Sequence, residues 1–378
     1  MSGLLPLEEA LARVLAAVPA APAAVELPLL EARGHVLAAV AVAPIDVPGA
    51  DNSALDGYAL RAGEAASPLP VSQRIAAGAV GEPLVPGTAA RIFTGAEIPQ
   101  GADAVVMQED CTEQDGIVSI NCPVEAGANI RPRGQDIAAG ETALPGGRVL
   151  RPQDLGLLAS IGTASVSVRR PLRVAVLSTG DELVEPGVEL PPGGLYNSNR
   201  YTLGGLLQGL GMRFEDCGMV PDDPDATARA LRDAAGRADC VISSGGVSVG
   251  EEDHVKRQVE LLGELDLWKL AIKPGKPLAF GRIGDVPFFG LPGNPTSVFV
   301  TFCLIARPLL LKRQGASDLA TPSVTARAAF TVDRPGTRQE YLRATLSMTA
   351  DGPSVNAFAN QSSGVLSSVS RSNALAVV

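Results

Sequence analysis

The 378-residue sequence predicts a multidomain α/β protein with added β domains, and three observations carry that expectation. The length exceeds what one hydrophobic core usually organises. Between Pro171 and about Gln314, apolar runs that read as strands are each followed by a Gly-rich polar loop and a helix. Outside that region, short β-type runs alternate with Gly, Pro, Asn and Asp, and 41 glycines with 30 prolines imply many turns.

In chain order, Leu7, Leu11, Val14, Leu15 and Val18 repeat at helical spacing and predict an amphipathic helix closing near Pro19. A Pro/Ala-rich stretch and an apolar segment at 37–42 follow. From 46 to 139 the runs 104–107 and 117–120 read as a small β domain inserted into a helical N-terminal region, 1–45 and 140–171. That region resumes with a helix around 154–161. Within 172–316, the runs 172–177, 239–243 and 286–290 read as buried parallel strands covered on both faces, with helices over 255–262 and 296 to about 311. The polar loops then fall at the carboxyl ends of the strands, where open α/β sheets bind ligands. Residues 317–378, rich in Thr, Val, Arg and Ser, read as a small all-β domain.

A net charge of −10 argues against a general nucleic-acid or anionic-membrane binder, so an anionic ligand needs local positive charge. Five scattered cysteines without a C-x-x-C pair indicate reduced thiols in a cytosolic protein rather than a disulfide or zinc framework. Two histidines, His35 and His254, exclude a His-rich metal site. No signal-peptide pattern and no membrane span are expected.

That local charge is present. Three of the five lysines, Lys269, Lys273 and Lys276, fall within eight residues, whereas the other cationic residues are almost all arginine. Lysine is a compact point charge suited to phosphate. The following G-L-P-G-N-P-T-S, with Pro292, Gly293, Asn294 and Pro295, can be an ordinary helix start, Asn294 capping and Pro295 at the first position. Its free N–H groups and dipole also suit an anion. Ser243, Ser244, Gly245, Gly246 and Ser248 form either a plain turn or a nest of converging N–H groups. Glu251, Glu252 and Asp253 then offer hard oxygens for a divalent ion, though acidic residues also favour helix starts. Thr179-Gly180-Asp181-Glu182 repeats the combination after another strand. Asp56 before Gly57 is what a D-G turn needs, and Thr94 and Asp136 sit in equally polar loops.

Six strings together carry a resemblance: D-N-S-A-L-D-G-Y-A (51–59), I-F-T-G-A-E-I-P-Q-G-A-D-A-V-V (92–106), S-T-G-D-E-L (178–183), S-S-G-G-V-S-V-G-E-E-D (243–253), I-K-P-G-K-P (272–277) and G-L-P-G-N-P (290–295). In this order they resemble the MoeA family of molybdopterin molybdenumtransferases, whose eukaryotic relatives include the gephyrin E domain. The resemblance runs from about residue 4 to the C-terminus. It implies an elongated helical N-terminal domain, an inserted β domain, a three-layer α/β/α molybdopterin-binding domain with a mostly parallel sheet, and a C-terminal β barrel. It also implies a cytoplasmic homodimer with its active cleft between subunits, Mg²⁺ as cofactor, and insertion of molybdenum from molybdate into adenylylated molybdopterin with release of AMP. An upstream molybdopterin adenylyltransferase and downstream molybdoenzyme maturation proteins are the implied partners.

Carried over position by position, Asp56, Thr94 and Asp136 come from the inserted domain. Glu182, Asp222, Asp253, Lys269, Lys273, Pro292 and Pro295 come from the α/β domain, with Glu182 and Asp253 toward the metal. Arg338, Arg343 and Ser363 lie in similar stretches of the last domain. Leu55 stands where the family usually has Met, and Gln135 where Glu is usual. The competing expectation is a non-catalytic pterin-binding scaffold or regulator of the gephyrin type. A nucleotide hydrolase of the competence/damage-inducible type, sharing only the α/β domain, is disfavoured by the 51–59 block.

Overall fold

A computed structural model describes residues 4–246, 254–333 and 336–378. At its centre lies a sheet of β1 (Arg173–Thr179), β2 (Arg213–Val220), β3 (Cys240–Ser244), β4 (Gly263–Lys269), β5 (Pro277–Ile283) and β6 (Val286–Leu291), ordered β2-β1-β3-β6-β5-β4. The ladders among β2, β1, β3 and β6 are parallel, and those joining β5 and β4 are antiparallel. The helices that cover the sheet and its neighbouring region include α1 (Leu7–Ala16), α2 (Pro152–Ser160), α3 (Ser198–Gly209), α4 (Pro224–Arg237), α5 (His254–Leu262) and the helical run α6 (Pro295–Gln314).

Because side chains alternate along a strand, a strand apolar at every position needs cover on both faces. Val174, Val176, Ile242 and Phe289 pack with Leu203 and Leu207 of α3 and with Val298, Phe302 and Leu309 of α6. Ala175, Leu177, Val241 and Phe288 pack with Leu231 and Ala234 of α4 and with Val255 and Val259 of α5. The sheet is therefore the middle of three layers. By length and composition α6 could cross a membrane, with mean hydropathy 1.3, which departs from the sequence expectation. However, 67% of its apolar window is buried inside the fold, so core packing accounts for its composition. A single π-type turn, Phe302–Ala306, precedes Pro308, which has no N–H to continue the helical ladder.

The N-terminal region departs from a helical domain. Ala10 and Val14 of α1 belong to the same core as Val174 and Phe302, and Leu5 bridges Leu270. The remainder pairs Ala24–Pro28 with Ser165–Arg169 and Ala41–Val42 with Thr142–Leu144 over a core shared with α2. The period-2 alternation Ser165-Val166-Ser167-Val168 is the strand signal behind that difference.

The inserted region holds a six-stranded sheet ordered Ala104–Met107, Gly57–Leu60, Ala89–Ile92, Leu69–Ile75, Ile117–Ile120, Cys111–Gln114. Gly57 is not the second residue of a turn but lies within the second of these strands. A β-carbon there would lie 1.8 Å from the Val106 carbonyl oxygen, so the close approach of backbones requires glycine. Gly57→Ala is expected to cost about 1–3 kcal/mol, read as a fall in chemical-denaturation midpoint at unchanged slope. An unchanged midpoint would contradict the contact.

In the last region Gln339–Thr349 pairs with Gly352–Ala357 and Ala374–Val377, and Arg327–Ala328 extends the sheet. Its other edge is Ile272–Lys273, donated from the loop between β4 and β5. Among the described residues these strands form one five-stranded sheet, with no ladder joining its two ends.

Candidate active site

Four loops leave the carboxyl ends of the parallel strands side by side. The register forces this, pairing Thr179 with Val220, Ser178 with Ser244, and Ser244 with Leu291. Across the edge the order is Asp222, then Asp181 and Glu182, then Ser244 to Gly246, then Pro292 to Asn294. β4 ends and β5 begins at the same edge, because Ala279 pairs with Gly290 and Lys269 with Pro277. Lys269 and Lys276 therefore complete the row. One end is acidic and the other basic. Four inter-strand steps of about 4.8 Å put the β1 and β4 ends roughly 19 Å apart. Glu182 and Lys269 thus suit different parts of a long ligand rather than one phosphate.

At the acidic end the Asp181 carboxylate accepts the Asp222 backbone N–H at 3.2 Å, tying two loops together. Asp223 accepts Ala226 N–H at 2.7 Å and caps α4, which leaves Asp222 for other work. The His254 Nε2 lies 3.8 Å from Asp222 Oδ1, a contact between residues 32 positions apart that no local pattern foreshadows. Gly180 has φ +135°, and a β-carbon there would lie 2.5 Å from Glu182 Oε2, so the glycine makes room for the exposed carboxylate.

In the middle of the row Ser243 and Ser244 are buried, and the Ser243 hydroxyl donates to the Gly245 carbonyl at 3.0 Å. Gly245 and Gly246 both have positive φ, as a nest requires. Asn199 stands outside the residues that the sequence motifs single out. Its Nδ2 donates to Ser244 Oγ at 2.9 Å and to the Gly293 carbonyl at 2.7 Å, joining two loops. The Asn-rich start of α3, N-S-N-R, was the signal available. Among the described residues Ser178 Oγ, Thr179 Oγ1, Asn199 Oδ1 and Thr296 Oγ1 are buried here without a hydrogen-bond partner. Such a concentration of orphaned polar atoms is costly in a purely structural edge. Ser248 and Asp253 lie outside the described residues.

The start of α6 corrects two expectations. Asn294 occupies the cap position but makes no side-chain capping bond, while Pro295 is at the first turn as expected. Thr296 N–H donates to the Ser363 carbonyl at 3.1 Å, so part of the anion-binding potential of this helix end is already taken. The loop carrying Lys273 packs here too: a β-carbon on Gly275 would lie 2.5 Å from Thr301 Cγ2. Lys273 Nζ donates to Glu340 at 3.0 Å, and Arg338 donates to the Ile272 carbonyl at 3.1 Å. Lys273, Arg338, Ser363 and the α6 start therefore converge. Lys269 and Lys276 are exposed.

Arg343 does not reach a ligand surface, contrary to expectation. Only 1% exposed, it donates to Ser368 Oγ at 3.1 Å and to the Tyr341 and Ser362 carbonyls at 3.4 Å. Burial holds its pKa below the ordinary value. It positions the Ser362–Ser363 turn that meets α6.

In the inserted region Asp56 and Thr94 form one unit. Asp56 Oδ1 accepts both the Thr94 backbone N–H and the Thr94 hydroxyl, each at 2.8 Å. The backbone bond, then the hydroxyl bond, lowers the Asp56 pKa, with Arg91 adding to it. Arg91 and Arg74 in turn stack on Phe93, 4.7 and 4.4 Å from its ring centre. Asp136 is exposed and held through its backbone N–H, 2.9 Å from the Val47 carbonyl. No hydrogen bond among the described residues joins this unit to the α/β edge within one chain.

A depressed folded-state pKa means that the ionised form is favoured above the ordinary aspartate value and lost as pH falls through the lowered one. Thr94→Val removes the hydroxyl bond and keeps the backbone bond, so the Asp56 pKa rises. The acid limb of a pH–rate profile then moves to higher pH. An Asp56 titration unchanged by the substitution, followed by NMR, would refute this.

For a divalent ion, no group of three or more His, Cys, Asp or Glu among the described residues forms a ready cage. Hard carboxylate oxygens on neighbouring loops nonetheless fit Mg²⁺, which takes one or two protein carboxylates with substrate phosphates.

Three family models match the chain in order: the MoeA N-terminal region (domains I and II) over residues 5–162, the probable molybdopterin binding domain over 175–312, and the MoeA C-terminal region (domain IV) over 325–378. A molybdopterin molybdenumtransferase of Haemophilus influenzae is 45% identical over 282 residues, covering 74% of this chain and 70% of that protein. One from Nostoc sp. is 37% identical over 349 residues, covering 88% and 80%. A crystal structure of a molybdopterin biosynthesis MoeA protein from Pyrococcus horikoshii, 31% identical, matches with TM-score 0.87 over 100% of this chain and 95% of that one.

Proposed function

The chain belongs to the MoeA family of molybdopterin molybdenumtransferases, and from that premise we propose that it inserts molybdenum from molybdate into adenylylated molybdopterin, releasing AMP. A role in molybdenum cofactor biosynthesis follows from the family; the adenylylated substrate and AMP release are our reading. The observation that carries it is the row of loops at one sheet edge, acidic at one end and basic at the other, long enough for a substrate with a pyrophosphate in its middle.

In this reading the Ser243–Gly246 nest presents backbone N–H groups to a phosphate, and Lys269 and Lys276 neutralise charge further along. Glu182 and Asp253 are the carboxylates that would hold Mg²⁺, which supplies Lewis-acid polarisation at phosphorus when bound. Lys273, Arg338 and the α6 start offer a tetrahedral oxyanion such as molybdate converging donors of positive charge. Asp56, held ionised by Thr94, would accept the protons given up as the two dithiolene thiols bind molybdenum, and Asp136 would pass them to the molybdate oxygen that leaves as water. Since they lie on the inserted domain, a homodimer would bring them from the partner subunit to this edge. We place the protein in the cytoplasm, beside an adenylyltransferase that supplies its substrate.

The test is AMP release by purified protein loaded with adenylylated molybdopterin, with molybdate added and tungstate in parallel. Molybdate-dependent release supports the enzyme. Retention of the nucleotide without turnover would instead establish the pterin-binding scaffold.

A further inference from the structure

At the opposite edge of the central sheet, three arginines surround a groove that the proposed chemistry does not use. Arg213, at the start of β2, pairs in register with Arg173 at the start of β1, and Asp239 immediately precedes β3 on the other side. Asp239, 8% exposed, takes the Arg170 guanidinium in a fork of two 2.7 Å bonds and accepts the Arg173 backbone N–H at 2.8 Å. The Arg173 guanidinium is more distant, 3.9 Å from the same carboxylate. Arg213 is exposed, and its side chain has no hydrogen-bond or ion-pair partner among the described residues. Together with Pro171 these arginines line a groove of about 360 Å³.

Like charges directly opposite on neighbouring strands destabilise a sheet, and this chain otherwise carries a net charge of −10. Three guanidiniums against one carboxylate leave two positive charges facing the groove, the charge a dianion balances. Guanidinium forks match phosphate geometry better than ammonium groups do. The volume exceeds a bare oxyanion's need, since a water takes about 30 Å³, and lies in the low range of small-ligand pockets, about 300–1,000 Å³. Seven residues of β1 at about 3.3 Å each separate this groove from the proposed active edge by roughly 20 Å, so one small ligand cannot occupy both.

We propose that this groove binds a phosphate dianion, free or carried on a small organic molecule, with Arg173 and Arg213 holding the phosphate. The site sits where the chain crosses from the N-terminal region into the sheet. Buried Gln314, at the end of α6, braces that crossing: its Oε1 accepts Leu172 N–H at 2.8 Å and its Nε2 donates to the Arg170 carbonyl at 2.7 Å. A bound phosphate therefore clamps the joint between the two regions and raises the melting temperature.

Calorimetric titration of the full chain with inorganic phosphate and, separately, AMP tests this. Arg213→Gln is expected to remove one binding step or weaken it at least tenfold, while the free protein melts no lower than wild type because the like-charge pair is relieved. Lys273→Ala, at the other edge, is expected to leave that step intact. Arg213→Lys keeps charge but not the fork and should also weaken it, which guards against misfolding of the first variant. Tighter AMP than phosphate in the Arg213-dependent step identifies an organic phosphate, and equal affinity identifies the free ion; both support the site. Wild-type affinity for both probes in Arg213→Gln, or no Arg213-dependent binding at roughly millimolar ligand, would overturn it.

Discussion

Replacing Lys273 with alanine lowers molybdate-dependent turnover on the order of 10²-fold or more, the scale seen when one well-placed charge is removed from a site of developing charge. Lys273 stands where three parts of the structure meet. Its strand pairs with Gln339 and Glu340, its loop packs on α6, and its ammonium sits 3.0 Å from Glu340. An incoming oxyanion competes with Glu340 for that ammonium, so the lysine is poised rather than idle. Alanine would also leave the largely covered Glu340 carboxylate without its cation. Lys273→Gln separates the two effects, keeping a donor for Glu340 without the charge. It is expected to lose as much turnover as alanine while melting near wild type. Near wild-type turnover in either variant would remove Lys273 from the chemistry.

Arg343→Ala is expected to be the most destabilising single change, by about 3 kcal/mol or more, because it empties a large buried volume and strands several acceptors. Arg343 is among the largest fully buried side chains and meets no carboxylate. Arg343→Met refills much of the volume without the donors, and a smaller loss is expected from it. In Arg343→Met the Ser362–Ser363 turn loses its anchor, so substrate KM rises more than stability alone predicts. Denaturant melts within about 1 kcal/mol of wild type for Arg343→Ala would show that the guanidinium is dispensable.

The loops after β1, β3 and β6 were legible because each follows an apolar strand and carries a glycine, a pattern that needs no tertiary information. β2 and β4 were not. R-F-E-D-C-G-M-V and G-E-L-D-L-W-K mix charge with apolar residues because they lie at the sheet margins. The lysine cluster was visible as composition, but the Lys273 partner lies 67 residues away, beyond any local signal. Asn294 looked like a cap by residue type, yet the N–H that mattered, that of Thr296, is met by a carbonyl from another domain. Arg343 carried a functional expectation by position and turned out buried, a distinction that only packing reveals. Of Asp222 and Asp223, adjacent and alike in sequence, the structure gives capping to the second alone.

Ile272–Lys273, the short strand that the α/β segment lends to the C-terminal sheet, bears on how this protein can be recombined. A chimera that takes residues 317–378 from a relative replaces one side of that ladder and keeps the other. The graft succeeds only where the donor's equivalents of Gln339 and Glu340 accept the host's strand, so modules that look separable along the chain are inherited as a matched pair.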